Sequence, residues 1–308
     1  MSRLTKFARN LKRRILGGHS NEKMGTQDRQ AIARNLCQGF GLEIGPSYNP
    51  MFPKSEGYTV ETLDYADKST LVAKYTEIGQ DTSKIEEPSF VSDGKPMSEV
   101  IGKSKVYDFI FASHVIEHTP DFVSFFNDCD ILLKPEGRLL LAVPDKRFCF
   151  DYFQSLTSTG MVLQASFEKR DRPQPGALFD DMAQKALKSG SIVWTIKDTS
   201  TPTLIHTLQD AYELYKEACA SPEIYRDTHV WRFVPSSFEL LISDLREMNK
   251  HPFYIESITP IGFEFFVLLS RKITKTPDRL TLLNRIQFEM AEPMLNARRK
   301  GKYAAIRR

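Results

Sequence analysis

The chain has 308 residues, 41% hydrophobic and 26% charged, which suits one large domain or one domain with a substantial insertion. Its net charge is only +3, but residues 1–23 balance to +6 and residues 285–308 to +5, leaving −8 on residues 24–284; an acidic body disfavours a nucleic acid lying across it. No run approaches the ~20 apolar residues that span a bilayer, no secretion signal opens the chain, and the scattered Cys37, Cys129, Cys149 and Cys219 form no Cys-x-x-Cys pair, so a cytoplasmic protein with reduced thiols is expected.

In chain order, residues 1–23 form a basic arm. Within it Leu4, Ala8, Leu11 and Ile15 recur at helical spacing over 4–16. Such a helix suits an anionic membrane surface, although a solvated or subunit-packing arm is the favoured reading and leaves an oligomer open. From residue 28 the pattern alternates: a helix over 28–38, a strand over 40–45, a second over 58–63 and a third over 107–113 (YDFIFAS). A helix over 121–133 then ends at the turn Lys134-Pro135-Glu136-Gly137, and Arg138–Val143 (RLLLAV) reads as a buried strand. Continuous apolar strands separated by helices imply a parallel sheet covered on both faces. Residues 151–230 break the rhythm, with the turn Arg172-Pro173-Gln174-Pro175-Gly176 and a helix over 203–219. They are expected to form a helical insertion that covers a site. The pattern returns at Pro235, where Ser236 and Glu239 fit a capping box and Phe238, Leu241, Ile242 and Leu245 share one apolar face. Strands over 253–259 and 263–271, joined by Pro260-Ile261-Gly262, should form a closing hairpin. The expected division is therefore the arm 1–23, a nucleoside-binding core 24–150, a lid 151–230, the rest of the core 231–272, and a basic extension 273–308.

The first candidate site is Gly41-Leu42-Glu43-Ile44-Gly45-Pro46-Ser47-Tyr48-Asn49-Pro50. Glu43 and Gly45 stand where a first strand ends and ligands of open α/β sheets bind. Asp64 follows Gly45 by nineteen residues at the end of the next strand, the place where a ribose diol is held. A dinucleotide pyrophosphate needs close, bare backbone N–H groups at a helix start. Pro46 has none, and Ser47 and Asn49 carry side chains there. No G-x-x-x-x-G-K-[ST] loop occurs, and Tyr212-x-x-x-Lys216 lacks the dinucleotide loop it would need. A nucleoside without phosphates, of which S-adenosylmethionine is the common example, fits best.

Here the chain resembles the class I S-adenosylmethionine-dependent methyltransferases, in the broad group that methylates small molecules and glycans. The matching residues are Leu42–Pro46, Asp64, Asp93-Gly94, Phe109–His118 (FIFASHVIEH) and Leu132–Leu141 (LLKPEGRLLL). The resemblance implies a Rossmann-like, seven-stranded, mostly parallel sheet with a terminal antiparallel hairpin, and S-adenosylmethionine as cofactor. It implies that Glu43 lies near the methionine ammonium, with Gly45, Pro46 and Ser47 bordering that end. Asp64 would take the ribose hydroxyls, Tyr65 would pack on the adenine, Asp93 and Gly94 would meet its edge, and Ser113 and His114 would line the pocket. Pro46-Ser47-Tyr48-Asn49 depart from the glycines usual in the family. No metal ligands are assigned, and metal dependence is left open.

Methyl transfer from a sulfonium is an in-line displacement, so positioning supplies much of the rate, and a hydroxyl acceptor also needs a base. His118 and Asp145 stand near the strand tips, and His229 where the insertion rejoins the core. The resemblance to enzymes of glycan pathways, which carry a D-x-H element there, makes His229 the first candidate base, with Asp227 close in sequence. The alternative structural roles are a backbone hydrogen bond at a helix start for His118 and a cap or ion pair for Asp145. The expected acceptor is a hydroxyl or carboxyl of a sugar, glycan or other small metabolite. The alternatives are a non-catalytic nucleoside-binding scaffold of the same fold and an RNA methyltransferase recruited through the basic tails.

Overall fold

A computed structural model describes residues 26–299; the arm at 1–23, its helix at 4–16 and residues 300–308 lie outside the described residues. In chain order the elements begin with α1 (Thr26–Leu36), β1 (Gly41–Ile44), β2 (Val60–Asp64), α2 (Lys68–Glu77), β3 (Phe90–Val91), α3 (Met97–Ile101) and β4 (Tyr107–Ser113). There follow α4 (Phe122–Leu132), β5 (Leu133–Pro144), α5 (Thr159–Phe167), α6 (Pro175–Gln184), the short strands β6 (Ala186–Leu187) and β7 (Thr203–Leu204), and α7 (Leu208–Ala220). The chain closes with α8 (Pro235–Glu247), β8 (Tyr254–Ile261), β9 (Glu264–Ser270) and α9 (Arg279–Arg299). Seven strands make one sheet in the order β3-β2-β1-β4-β5-β9-β8. Strands β1 to β5 are parallel, and β9 pairs antiparallel with both β5 and β8, so β9 is the one reversed strand. The Rossmann-like sheet and its terminal hairpin are those expected from the sequence.

The continuous apolar runs have a two-faced explanation. Ile110 and Ala112 of β4, Leu139, Leu141 and Val143 of β5, and Phe265, Val267 and Leu269 of β9 point into a core shared with Phe122, Phe126 and Phe238. Their neighbours Phe109, Phe111, Leu140, Ala142, Phe266 and Leu268 point the other way, against Ala33, Met51 and Phe52. A strand with period-two side chains reads as apolar throughout only when both faces are buried. Each such Leu or Phe contributes about 1.5–3 kcal/mol by leaving water, so this central sheet is the rigid platform for its own carboxyl edge.

Local differences from the sequence reading have local causes. Lys134-Pro135-Glu136-Gly137 is not a free turn but a bulge inside β5, since Tyr107 pairs with Leu133 and Phe109 with Arg138. The carbonyls freed by the bulge are taken up by Arg271, which donates to Lys134 O at 2.7 Å and Pro135 O at 3.2 Å. The capping box of Ser236 and Glu239 does not form. Ser237 Oγ accepts from Val234 N–H at 2.9 Å, Pro235 takes the first helical position, and Ser236 donates to Glu289 at 2.7 Å, tying α8 to α9. The helix expected over 203–219 starts only at Leu208. There Thr207 and Asp210 cap it reciprocally, while Thr203 and Leu204 pair with β6. The loop between β8 and β9 is Gly262-Phe263 rather than Pro260-Ile261-Gly262, with Ile261 paired to Glu264.

Candidate active site

The first half of the carboxyl edge is built on backbone. Gly45 follows β1 with φ 66°, and a Cβ there would meet Val115 at 3.0 Å, so only glycine turns the chain here. The loop folds over Asp64, whose two oxygens accept from Ser47 N–H at 2.9 Å and Tyr65 N–H at 2.8 Å. Burial raises the Asp64 pKa against the opposing pull of those two bonds. Glu43 is 2% exposed, and its oxygens accept from Met51 N–H at 2.6 Å and Phe52 N–H at 3.0 Å. Burial lifts its pKa to about 7 despite these bonds. Both oxygens thus shape the loop from within. Pro46 closes a turn by accepting from Asn49 N–H at 3.1 Å, and Ser47 adopts φ 50°. Tyr65 is half exposed beneath Lys74 Nζ, 4.3 Å from its ring centre. Asp93 is exposed and paired with Lys95 at 2.9 Å, and Gly94 beside it has open space around its Cα.

The second half is built on side chains. Ser113 ends β4 and accepts from Arg29, which also holds Glu264 at 2.6 Å. His114 follows with φ 53°, a left-handed conformation that costs a non-glycine residue on the order of 1 kcal/mol. Its Nε2 bonds Glu264 at 2.7 Å and its Nδ1 faces Glu117 at 3.4 Å. Burial opposes protonation of this ring, but the two glutamates outweigh it and raise its pKa to about 9. The next turn, Ile116–His118, buries Glu117 completely. Both Glu117 carboxylate oxygens lack a hydrogen bond among the described residues, with His229 Nε2 at 3.8 Å.

His118 and His229 meet edge to face, with ring centres 4.6 Å apart. Each is oriented by its own carboxylate: His118 Nδ1 bonds Asp227 at 2.7 Å, and His229 Nδ1 bonds Asp151 at 2.6 Å. Asp227, the sequence neighbour of His229, thus serves His118 instead. The true partner of His229 comes from the start of the insertion, 78 positions away. One ligand-capable atom from each of Glu117, His118 and His229 lies within 4.8 Å of the others, a grouping the sequence reading did not assign.

Asp145 does not belong to this cluster as a base. It is 2% exposed, caps the turn Lys146–Phe148 through Arg147 N–H at 3.0 Å, and forms a two-pronged ion pair with the Arg147 guanidinium. Both oxygens are engaged, which is the cap and ion pair given above as its alternative role. Sequence reasoning gave no role to Glu117, Asp151, Asp227, Glu264 or Arg29. The available signal was His114-x-x-Glu117-His118, whose spacing puts ligand-type side chains on adjacent turns of one segment. Asp151, Glu264 and Arg29 come from segments that only the fold brings near. Two cavities lie apart from this cluster, one beside Phe148 and Trp194 and one at the opposite, amino ends of β1 and β2 around Gly39 and Tyr58. The chemistry is therefore located by converging side chains.

The sheet order, with its one reversed strand and its acids at the tips of β1 and β2, defines the architecture of a Rossmann-like methyltransferase. The profile of the methyltransferase-domain family matches residues 27–217, more than half of the chain. The chain belongs to that family and is an S-adenosylmethionine-dependent methyltransferase of class I. No curated protein matches it. Among solved structures, a protein of Pyrococcus horikoshii OT3 is similar at 14% identity, covering 80% of this chain and 88% of its own, with a TM-score of 0.40. A SAM-dependent methyltransferase from Aquifex aeolicus is similar at 12% identity, covering 84% of this chain and 96% of its own, with a TM-score of 0.39. Among the described residues no helix is long and apolar enough to cross a membrane.

Proposed function

We propose that the protein transfers the methyl group of S-adenosylmethionine to a hydroxyl oxygen of a sugar, glycan or other small metabolite. In this reading the nucleoside lies along the tips of β1 and β2. Asp64 has one backbone N–H on each oxygen and keeps lone pairs for the ribose hydroxyls. Gly45, Pro46 and Ser47 border the methionine end, with Glu43 supporting their loop from behind. Tyr65, Asp93 and Gly94 lie on the adenine side, Ser113 and His114 line the pocket floor, and residues 151–230 cover the acceptor.

The observation that carries the acceptor assignment is the Asp151–His229 pair at 2.6 Å, which fixes the ring while its Nε2 makes no hydrogen bond among the described residues. A carboxylate acceptor is ionised at neutral pH and needs no base, whereas a hydroxyl does. The basic cluster therefore favours the hydroxyl. In the step itself, the O–H proton goes to His229 Nε2 as an oxygen lone pair attacks the methyl carbon. The carbon–sulfur bond breaks, and its electron pair neutralises the sulfonium to a thioether.

The test is incubation with methyl-labelled S-adenosylmethionine and cell extract, followed by mass spectrometry of metabolite and RNA fractions. A labelled small metabolite that disappears with His229→Ala supports the reading. Label in RNA would overturn it in favour of an RNA methyltransferase, and cofactor binding without transfer would favour a scaffold.

A further inference from the structure

We propose that Glu117, His118 and His229 bind a divalent first-row transition ion at the rim of β4. Three independent features of the cluster point to a cation. First, Glu117 is fully buried, yet neither carboxylate oxygen accepts a hydrogen bond among the described residues. His114 Nδ1 faces Oε1 at 3.4 Å without a hydrogen bond to it, and a cation would take up the lone pairs that this one ion pair leaves unused on the two oxygens. Second, both imidazoles are prepared as ligands. Asp227 and Asp151 each bond the Nδ1 of one ring; a carboxylate there favours the tautomer with its proton on Nδ1, whose Nε2 carries the lone pair. Carboxylate–histidine pairs of this kind orient metal ligands and raise their basicity. Third, the spacing is close to what an ion requires. Bonds of about 2.1 Å in a tetrahedral site set the ligand atoms about 3.4 Å apart. His229 Nε2 and Glu117 Oε1 are 3.8 Å apart, and the whole set spans no more than 4.8 Å.

The donor set chooses the ion class. Two imidazoles and one carboxylate suit zinc, cobalt or manganese, whereas magnesium and calcium prefer all-oxygen shells. Three protein ligands also leave a position free for an oxygen of another molecule. His118 is the partly exposed member, and its partner Asp227 is more exposed still, so the cluster is reached from solvent on that side. His114 is excluded as a fourth ligand by its own bond to Glu264 at 2.7 Å and serves as the wall behind Glu117.

The site goes beyond the methyl-transfer reading and rests on it only for the consequence. Where the ion is bound, His229 Nε2 would be its ligand and the ion would take over activation of the hydroxyl; without the ion, Nε2 is the base described above. An ion held there would lower the pKa of an acceptor hydroxyl in the free position.

The test uses the full chain stripped with a chelator and needs neither cofactor nor acceptor. Calorimetry with Zn²⁺ and visible absorption with Co²⁺ should both report one ion per chain, together with a rise in melting temperature. Glu117→Gln and His229→Ala should weaken Zn²⁺ binding at least 100-fold, Asp151→Asn and Asp227→Asn should weaken it about 10–100-fold, and His206→Ala should leave it unchanged. Folding of each variant is checked by circular dichroism and by S-adenosylmethionine calorimetry. A folded wild type that binds S-adenosylmethionine but takes up no Zn²⁺, Co²⁺ or Mn²⁺ would overturn the site while leaving the methyl-transfer reading in place. Binding that Glu117→Gln does not weaken would also overturn it. Ion binding by a chain that does not bind S-adenosylmethionine would instead support the site and defeat the methyl-transfer reading.

Discussion

The two halves of the carboxyl edge handle buried carboxylates in opposite ways. At the tips of β1 and β2, Glu43 and Asp64 each accept two backbone N–H bonds, one on each oxygen, which shape the loop. After β4, Glu117 is buried as deeply but has no hydrogen bond among the described residues and faces imidazoles instead. The first arrangement is held by backbone donors and keeps its remaining lone pairs for neutral hydroxyls; the second leaves both oxygens without any hydrogen bond among the described residues. The comparison teaches that burial alone does not mark a reactive acid. What marks it is burial combined with partners that are themselves oriented by further carboxylates, as His118 and His229 are.

The comparison can be broken most directly at His229. Replacing it with alanine should lower turnover by about 10²–10⁴-fold, measured by labelled methyl transfer, with cofactor affinity nearly unchanged. A comparable loss of S-adenosylmethionine binding would mean that the second half serves the cofactor rather than the acceptor. Asp145→Ala sharpens the boundary between the two kinds of acid. It should cost about 1–3 kcal/mol of unfolding free energy in chemical denaturation, since Arg147 loses its buried partner but keeps Glu292 at 2.9 Å, while the folded fraction keeps its kcat. Loss of kcat at full stability would return Asp145 to the mechanism.

On the first half, Asp64→Ala should weaken S-adenosylmethionine by about 1.5–3 kcal/mol, read by calorimetry, because it removes charge-assisted acceptors for the ribose. Unchanged affinity would show that Asp64, like Glu43, only holds its loop. The smallest effect is a pH slope. Glu43 binds its proton more tightly when folded, with a pKa of about 7 against 4.5 for the free side chain. The folded state therefore holds more protons between those values, and stability falls as pH rises from 4.5 to 7. Glu43→Gln should flatten that slope by no more than about 3 kcal/mol across the window, measured by denaturation at several pH values. An unchanged slope would assign the pH dependence to other groups.

Much of this protein was already determined by local sequence. The strands of 107–113 and 138–143 were legible because burial on both faces leaves an uninterrupted apolar run, and Asp64 was legible because it ends the next strand, nineteen residues after Gly45. Glu117 and His118 were in view as a motif, but a motif does not say which side chains lack partners. Only the tertiary structure decided that Asp151 serves His229, that Asp227 serves His118, that Asp145 is spent on Arg147, and that Glu264 and Arg29 brace His114. The physical reason is reach. Hydrogen bonding and hydropathy along a strand or helix act over a few residues and leave a periodic trace, whereas a pairing such as Asp151 with His229 joins positions 78 residues apart and leaves no trace in either neighbourhood.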